Sequence, residues 1–212
     1  MPSGSFHSLL EQLEPVDQLV AIHKKVQSGA GRRHQQDALH KAGVVMSVAA
    51  WQAYIEKLIV EVLDVIEAGI RQPHATPPAP PWALHSFNLR RSAIETELKK
   101  FNTPNSTNVR DILDRSFGFK PWPSWVWRAG KRNWNEQDTR QRTNDWVRVR
   151  HTIAHGYPLP TDMDFLKGDN GAPRLTLGLL NECQKHFKHV ARKTDDALRD
   201  YLVDSYGIAS PW

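Results

Sequence analysis

From His34 to Ile70 the chain reads HQQDALHKAGVVMSVAAWQAYIEKLIVEVLDVIEAGI. No proline interrupts it, and apolar residues recur at three- and four-residue steps, so the stretch predicts one long helix. Leu39, Ala42, Met46, Ala49, Ala53, Val60, Leu63 and Ile70 fit one stripe, and Trp51, Ile55, Leu58, Val62 and Ile66 widen it. So much apolar circumference needs neighbours on more than one side, which makes this the central helix of a bundle. Its most apolar run, Ala42 to Ala53, is broken by Gly43, Ser47 and Gln52 and is too short to cross a bilayer.

Upstream, Ser5 to Val26 reads as a short helix and then a second starting at Pro15, because proline suits a first helical turn. Gly29 and Gly31 end it. Residues 1–33 are thus expected to form an N-terminal helical extension, and residues 34–212 the main helical domain. Downstream, five prolines between Pro73 and Pro81 exclude a helix and predict a linker or extended loop. Helical spacing returns from Ser86 to Phe101. Thr103-Pro104-Asn105-Ser106 is turn chemistry, and a short helix near Asn108 follows, using Val109, Ile112, Leu113 and Phe117. Gly118 to Gly130 reads as a loop. Asn133 with Glu136 fits a capping box that opens a helix running to His155, stopped by Gly156. Asp169-Asn170-Gly171 permits a small hairpin. Leu179 to Ser205 is a long terminal helix with Leu180, Cys183, Phe187, Val190, Ala191, Leu198, Tyr201 and Leu202 on one side. The expected fold is all-α: an up-and-down bundle of four to five main helices with a Pro-rich loop and a small hairpin insertion.

Composition narrows the function. With 40% apolar and 24% charged residues, the 212-residue chain is neither disordered nor collagenous. Its single cysteine, Cys183, cannot form an intramolecular bridge and fits a reducing compartment. The N-terminus has no basic segment followed by a long apolar stretch, so a secretory signal is not expected and the cytoplasm is. The formal charge is +5, and all of that excess lies between Arg110 and Arg150, where ten basic residues face five acids. Five of the eight tryptophans are there too: Trp122, Trp125, Trp127, Trp134 and Trp146. Cations attract phosphates, and flat aromatic faces stack on unpaired bases. The same composition also describes a solvated charged surface beside a Trp-rich core plug. Among these residues Arg148, Arg142, Lys131, Arg132 and Trp127 are the candidate RNA contacts.

The helix from Glu136 to His155 holds an oddity. At about 100° per residue, Arg150 lies in the middle of an apolar arc made by Trp146, Ile153, Ala154, Val147 and Thr143. A guanidinium there is costly unless something pairs with it. A carboxylate inside the bundle would serve, and Glu56 is a candidate because it interrupts the stripe of the long helix. A subunit interface, an anion-binding cleft, or a register off by one residue would also account for it. His151 and His155 lie side by side on the flank of the same helix. Arginine holds phosphate through its planar fork, and imidazole moves protons near neutral pH. Together they suit RNA cleavage by its own 2′-hydroxyl: one proton removed, one donated to the leaving 5′-oxygen, and phosphoryl charge stabilised. In the bland reading His155 ends a helix, where an imidazolium favours the dipole, and His151 is an ordinary surface residue.

The string Arg150-His151-Thr152-Ile153-Ala154-His155-Gly156-Tyr157 resembles the R-x4-6-H motif of HEPN domains. His151 matches the polar residue that often follows the arginine, and Tyr157 extends the match to an R-x4-H-x-Y form. A long early helix containing Trp51-Gln52-Ala53-Tyr54-Ile55-Glu56, a Thr-Pro-Asn turn, the motif helix and a long terminal helix complete a layout similar to the bacterial RiboL-PSP HEPN subgroup. The resemblance covers roughly His34 to Tyr206. It implies a metal-independent endoribonuclease without cofactor that leaves a 2′,3′-cyclic phosphate and acts as a toxin, in phage defence or in RNA processing. It also implies a homodimer with two motifs in one cleft, and a restraining partner such as an antitoxin. In that scheme Arg150 binds the scissile phosphate, His155 is the main acid/base, His151 assists, and Tyr157 is a structural or regulatory hydroxyl.

Two rivals stand beside this. His151 and His155 have the spacing of helix-borne zinc ligands, but Thr152 stands where a glutamate base would, and Cys183, His186 and His189 spread around their helix, so no metal is expected. Cys183 falls on an apolar face and reads as core rather than nucleophile. The other rival is a non-catalytic dimer that binds RNA or a protein partner.

Overall fold

The computed structural model describes residues 1–26, 36–71, 80–130, 132–168 and 170–212. The expected stops at Gly29 and Gly31, the start at His34, the boundary at residue 33, most of the Pro-rich loop, Lys131 and Asp169 lie outside these residues. The elements run α1 (Gly4–Val26), α2 (Asp37–Ile70), α3 (Pro81–Leu98), α4 (Ser106–Phe117), β1 (Trp127–Ala129), β2 (Arg132–Trp134), α5 (Glu136–Ala154) and α6 (Leu177–Tyr206). The fold is an all-α bundle, and α2 touches each of the other five helices.

The wide apolar surface of α2 is used, but its centre differs from expectation. Trp51, Ile55, Leu58, Val62 and Ile66 are buried, and so is Leu63 of the first stripe, whereas Ala42 and Ala49 are exposed and Leu39, Met46, Ala53, Val60 and Ile70 only partly covered. Periodicity defines both stripes; Trp51 of the second packs on Phe187 of α6, and most of the inward surface centres on that side. Trp51 stacks between Tyr54 and Phe187 at centroid distances of 5.6 and 5.7 Å, and its indole N–H donates to the Pro104 carbonyl at 2.9 Å. The Tyr54 hydroxyl donates to Ala191 O at 3.0 Å. Taken alone α2 is long and apolar enough to span a membrane, yet it is the wrapped core helix here. A Cβ at Gly43 would stand 2.6 Å from Leu180 Cδ1, so the Leu180 side chain of α6 packs directly on the α2 backbone there.

Where a short helix and a second were expected, α1 is one helix with Pro15 inside it. Its stripe of Phe6, Leu9, Leu13, Val16 and Val20 runs unbroken past the proline into the core. That burial outweighs the one backbone hydrogen bond that proline removes. The start of α1 is clamped by carboxylates from two other helices: Ser3 bonds Asp195, and the Gly4 and Ser5 N–H groups donate to Glu61 at 2.8 Å. These satisfy donors that a helix start leaves unpaired.

Three further boundaries shift. α3 begins at Pro81 rather than Ser86, because a proline at the first helical position loses no hydrogen bond. Part of the expected loop before Gly130 is strand: β1 and β2 form an antiparallel hairpin pairing Trp127 with Trp134 and Ala129 with Arg132. That pairing holds Asn133 extended, so the capping box is Asn135 with Asp138. Asn135 Oδ1 accepts from the Asp138 N–H at 2.9 Å, and Asp138 Oδ2 from the Asn135 N–H at 3.0 Å. After α5 a turn closes with Gly168 N–H on Ala172 O and Arg174 N–H on Leu166 O, around one antiparallel bridge between Lys167 and Pro173.

Candidate active site

α5 carries two different surfaces. In its first half the arginines are tied to partners within the chain. Arg142 is only 18% exposed; it pairs with Glu182 at 2.9 Å and lies 3.8 Å over the Phe165 ring. Burial lowers the pKa of Arg142, partly offset by Glu182 and Asp145. Arg132 sits between Trp127 and Trp134, 4.3 and 4.2 Å from their ring centres. Trp127 stacks on His189 at 4.0 Å, and the His189 ring bonds Val126 O at 3.1 Å. Arg110 and Arg140 both lie over Trp122. Trp125 and Trp146 are fully buried. Much of the basic, Trp-rich window is therefore a cation–π plug that fixes the hairpin to α5 and α6.

The second half ends in the motif. Arg150 is half-buried; its Nε is shut off from solvent with no hydrogen-bond partner, and among the described residues it has no ion pair. Glu56 does not reach it: that carboxylate accepts from Gln52 at 2.9 Å and faces the groove between α2 and α3. The apolar arc around Arg150 is core at Thr143, Trp146 and Val147, partly covered at Ile153, and exposed at Ala154, so the last turn leaves the bundle.

His151, His155 and Tyr157 are all exposed there. The imidazole centroids stand 4.3 Å apart, and Tyr157 lies 5.9 Å from His155 with the rings within 22° of parallel. The turn is set by Gly156, whose φ of 69° is left-handed. Gly156 N–H donates to Ile153 O at 3.2 Å and Tyr157 N–H to Thr152 O at 2.8 Å, a Schellman end that folds the tyrosine back over the helix terminus. Two imidazoles side by side supply a proton acceptor and a donor, with a phenol at their edge.

A family model described as RiboL-PSP-HEPN matches residues 13–200. The chain belongs to the RiboL-PSP-HEPN family. No curated protein and no solved structure matches it. In this HEPN chain the motif residues fall where an R-x4-H helix end puts them, at the final turn of α5.

Sequence reasoning on the HEPN motif missed one neighbour. Arg148 is exposed and pairs with Asp162 at 2.6 Å, and the latter comes from the segment after the motif. No periodic signal marks Asp162, because it sits in irregular chain between buried Pro160 and Met163. Asp145, half-buried one turn before Arg148, has its carboxyl raised by burial, against the pull of Gln141, Arg142 and Arg148. Among the described residues no three His, Cys, Asp or Glu side chains converge to hold a metal. Cys183 is buried in the core, and burial pushes its thiol well up.

Proposed function

We propose that this HEPN protein is a metal-independent endoribonuclease that cleaves RNA by attack of the 2′-hydroxyl, leaving a 2′,3′-cyclic phosphate. The observation that carries the reading is the exposed His151–His155 pair, 4.3 Å between ring centres, at the end of the helix that carries Arg150. In this mechanism one imidazole takes the 2′-proton and its neighbour protonates the leaving 5′-oxygen. The phosphorus–5′-oxygen bond breaks as the bond to the 2′-oxygen forms. Arg150 stabilises the phosphoryl oxygens.

Around α5 the guanidinium and His155 are about 140° apart, so one chain does not aim both at one phosphate. A homodimer placing two α5 ends across one groove supplies the missing side. We place the protein in the cytoplasm as a toxin or defence effector restrained by a partner protein.

The test is incubation of single-stranded RNA with the full chain in EDTA. Wild type should release cyclic-phosphate ends, and His155→Ala and Arg150→Ala should each lower the rate by about 10²- to 10⁴-fold. Sedimentation should give a dimer at micromolar concentration. Both variants cutting at the wild-type rate would remove the site, and RNA binding without cleavage by wild type would make the protein a binding module.

A further inference from the structure

Arg148, His151 and His155 share one face of α5. At about 100° per residue, Arg148 lies about 20° from His155 and about 60° from His151, and all three are exposed. Arg150 points elsewhere. Seven residues of helix separate Arg148 from His155 by about 10 Å of rise, so its fork reaches a phosphate beside the scissile one rather than the scissile one itself. In the free chain one arm of that fork is taken: Arg148 Nη1 stands 2.6 Å from Asp162 Oδ2.

The ion pair is not what docks the segment carrying Asp162. Pro160, Met163 and Leu166 are buried, and Phe165 packs edge-on against Trp146 at 5.1 Å. Exposed ion pairs add little to folding, and this one is 55% exposed on the arginine side and 61% on the aspartate side. What the apolar anchors do is hold a carboxylate against the guanidinium of the arginine that shares the histidine face of α5, where a phosphate oxygen would bind through the same fork. Asp145, one turn back on α5, adds a second negative group near it.

We infer that Arg148 is a flanking-phosphate anchor for single-stranded RNA and that Asp162 occupies it until RNA displaces it. The inference rests on the ribonuclease reading for its ligand, but not on catalysis. Arg148 is a positioning residue, not a catalytic one, and the ion pair sets how strongly the site competes for RNA.

The experiment uses a fluorescent single-stranded 2′-O-methyl RNA 20-mer, which has no free 2′-hydroxyl to attack, and follows binding by anisotropy across a salt series. Asp162→Asn should tighten binding by about two- to fivefold. Arg148→Gln should weaken it and lower the slope of log affinity against log salt by about one. Arg148→Lys should restore that slope. The double variant Arg148→Gln with Asp162→Asn should match Arg148→Gln alone, because the aspartate acts through the arginine. Thermal melts verify that each variant is folded. An unchanged slope in Arg148→Gln, an unchanged affinity in Asp162→Asn, a gain from Asp162→Asn that persists without the arginine, or wild type that does not bind the probe would each overturn the inference. Shifts as expected, with no cleavage of unmodified RNA, keep the anchor and remove the nuclease; cleavage with an unchanged slope does the reverse.

Discussion

At Gly156 a single backbone angle positions the two side chains of the motif's end. A φ of 69° is free for glycine and strained for any residue with a Cβ, and no atom lies within 4 Å of where that Cβ would go. The cost of Gly156→Ala is therefore conformational, about 1 kcal/mol, read as a melting temperature lower by about 2–4 °C. Gly171, also left-handed at 74°, is the control. Gly171→Ala should cost as much stability and leave RNA cleavage alone, while Gly156→Ala should also slow cleavage by unseating Tyr157 from His155. Equal cleavage by both variants would separate the turn from the chemistry. The glycine and tyrosine were legible in the sequence as a helix stop and a motif extension. The stack of His155 on Tyr157 was not, because the hydrogen bond from Tyr157 N–H to Thr152 O decides it.

At the scale of elements, α5 divides into a plugged half and an open half. Charge counting put the +5 excess in this region but could not say which cations are spent on tryptophan faces and half-buried acids. Arg142 is such a cation. Arg142→Ala removes the nearer of the two arginines on Glu182, leaving Arg132 at 3.5 Å, and uncovers Phe165, and it should cost about 1–3 kcal/mol in chemical denaturation. It should leave the salt slope of RNA binding unchanged. A slope lowered by about one with stability intact would make it an RNA contact instead. The hairpin of β1 and β2 escaped sequence reading because each strand is three residues long and dense in tryptophan and arginine, with no alternating pattern. Its stability comes from the clamp on Arg132, a contact between residues of both strands.

For the whole molecule, three buried or half-buried histidines set a pH response. Burial lowers the pKa of His40 and His189 and pushes that of His186 well down, where Arg142, Arg132 and His189 add to it. The His40 ring donates through Nδ1 to Leu175 O at 3.1 Å and shares a hydrogen bond between its Nε2 and His23 Nδ1 at 3.1 Å, which joins the end of α1 to the start of α2. The unfolded chain binds protons near pH 6.5 that these folded sites refuse. Stability is therefore full above about pH 6.5 and falls below it until each lowered folded pKa is passed, by up to about 1.4 kcal/mol per pH unit for each histidine. Asp145 and Asp195, both raised by burial, bind protons more readily when folded and oppose this trend only further down, toward the carboxylate range. The urea midpoint should be flat from pH 7 to 8 and fall between pH 6.5 and 5, less steeply in His186→Gln. A midpoint that rises on acidification would contradict the neutral assignment.

The sequence alone determined the helical class, the core role of the 37–70 stretch and the Arg150–His155 string at a helix end, because periodicity, proline and glycine act through neighbours a few residues away. Tertiary structure decided which stripe of α2 faces inward, that Pro15 is carried inside a continuous α1, that Glu56 and Arg150 never meet, and that Arg148 meets Asp162. Each of those depends on where a second element lies. That placement is the compromise of all the buried faces at once, and no local window contains it.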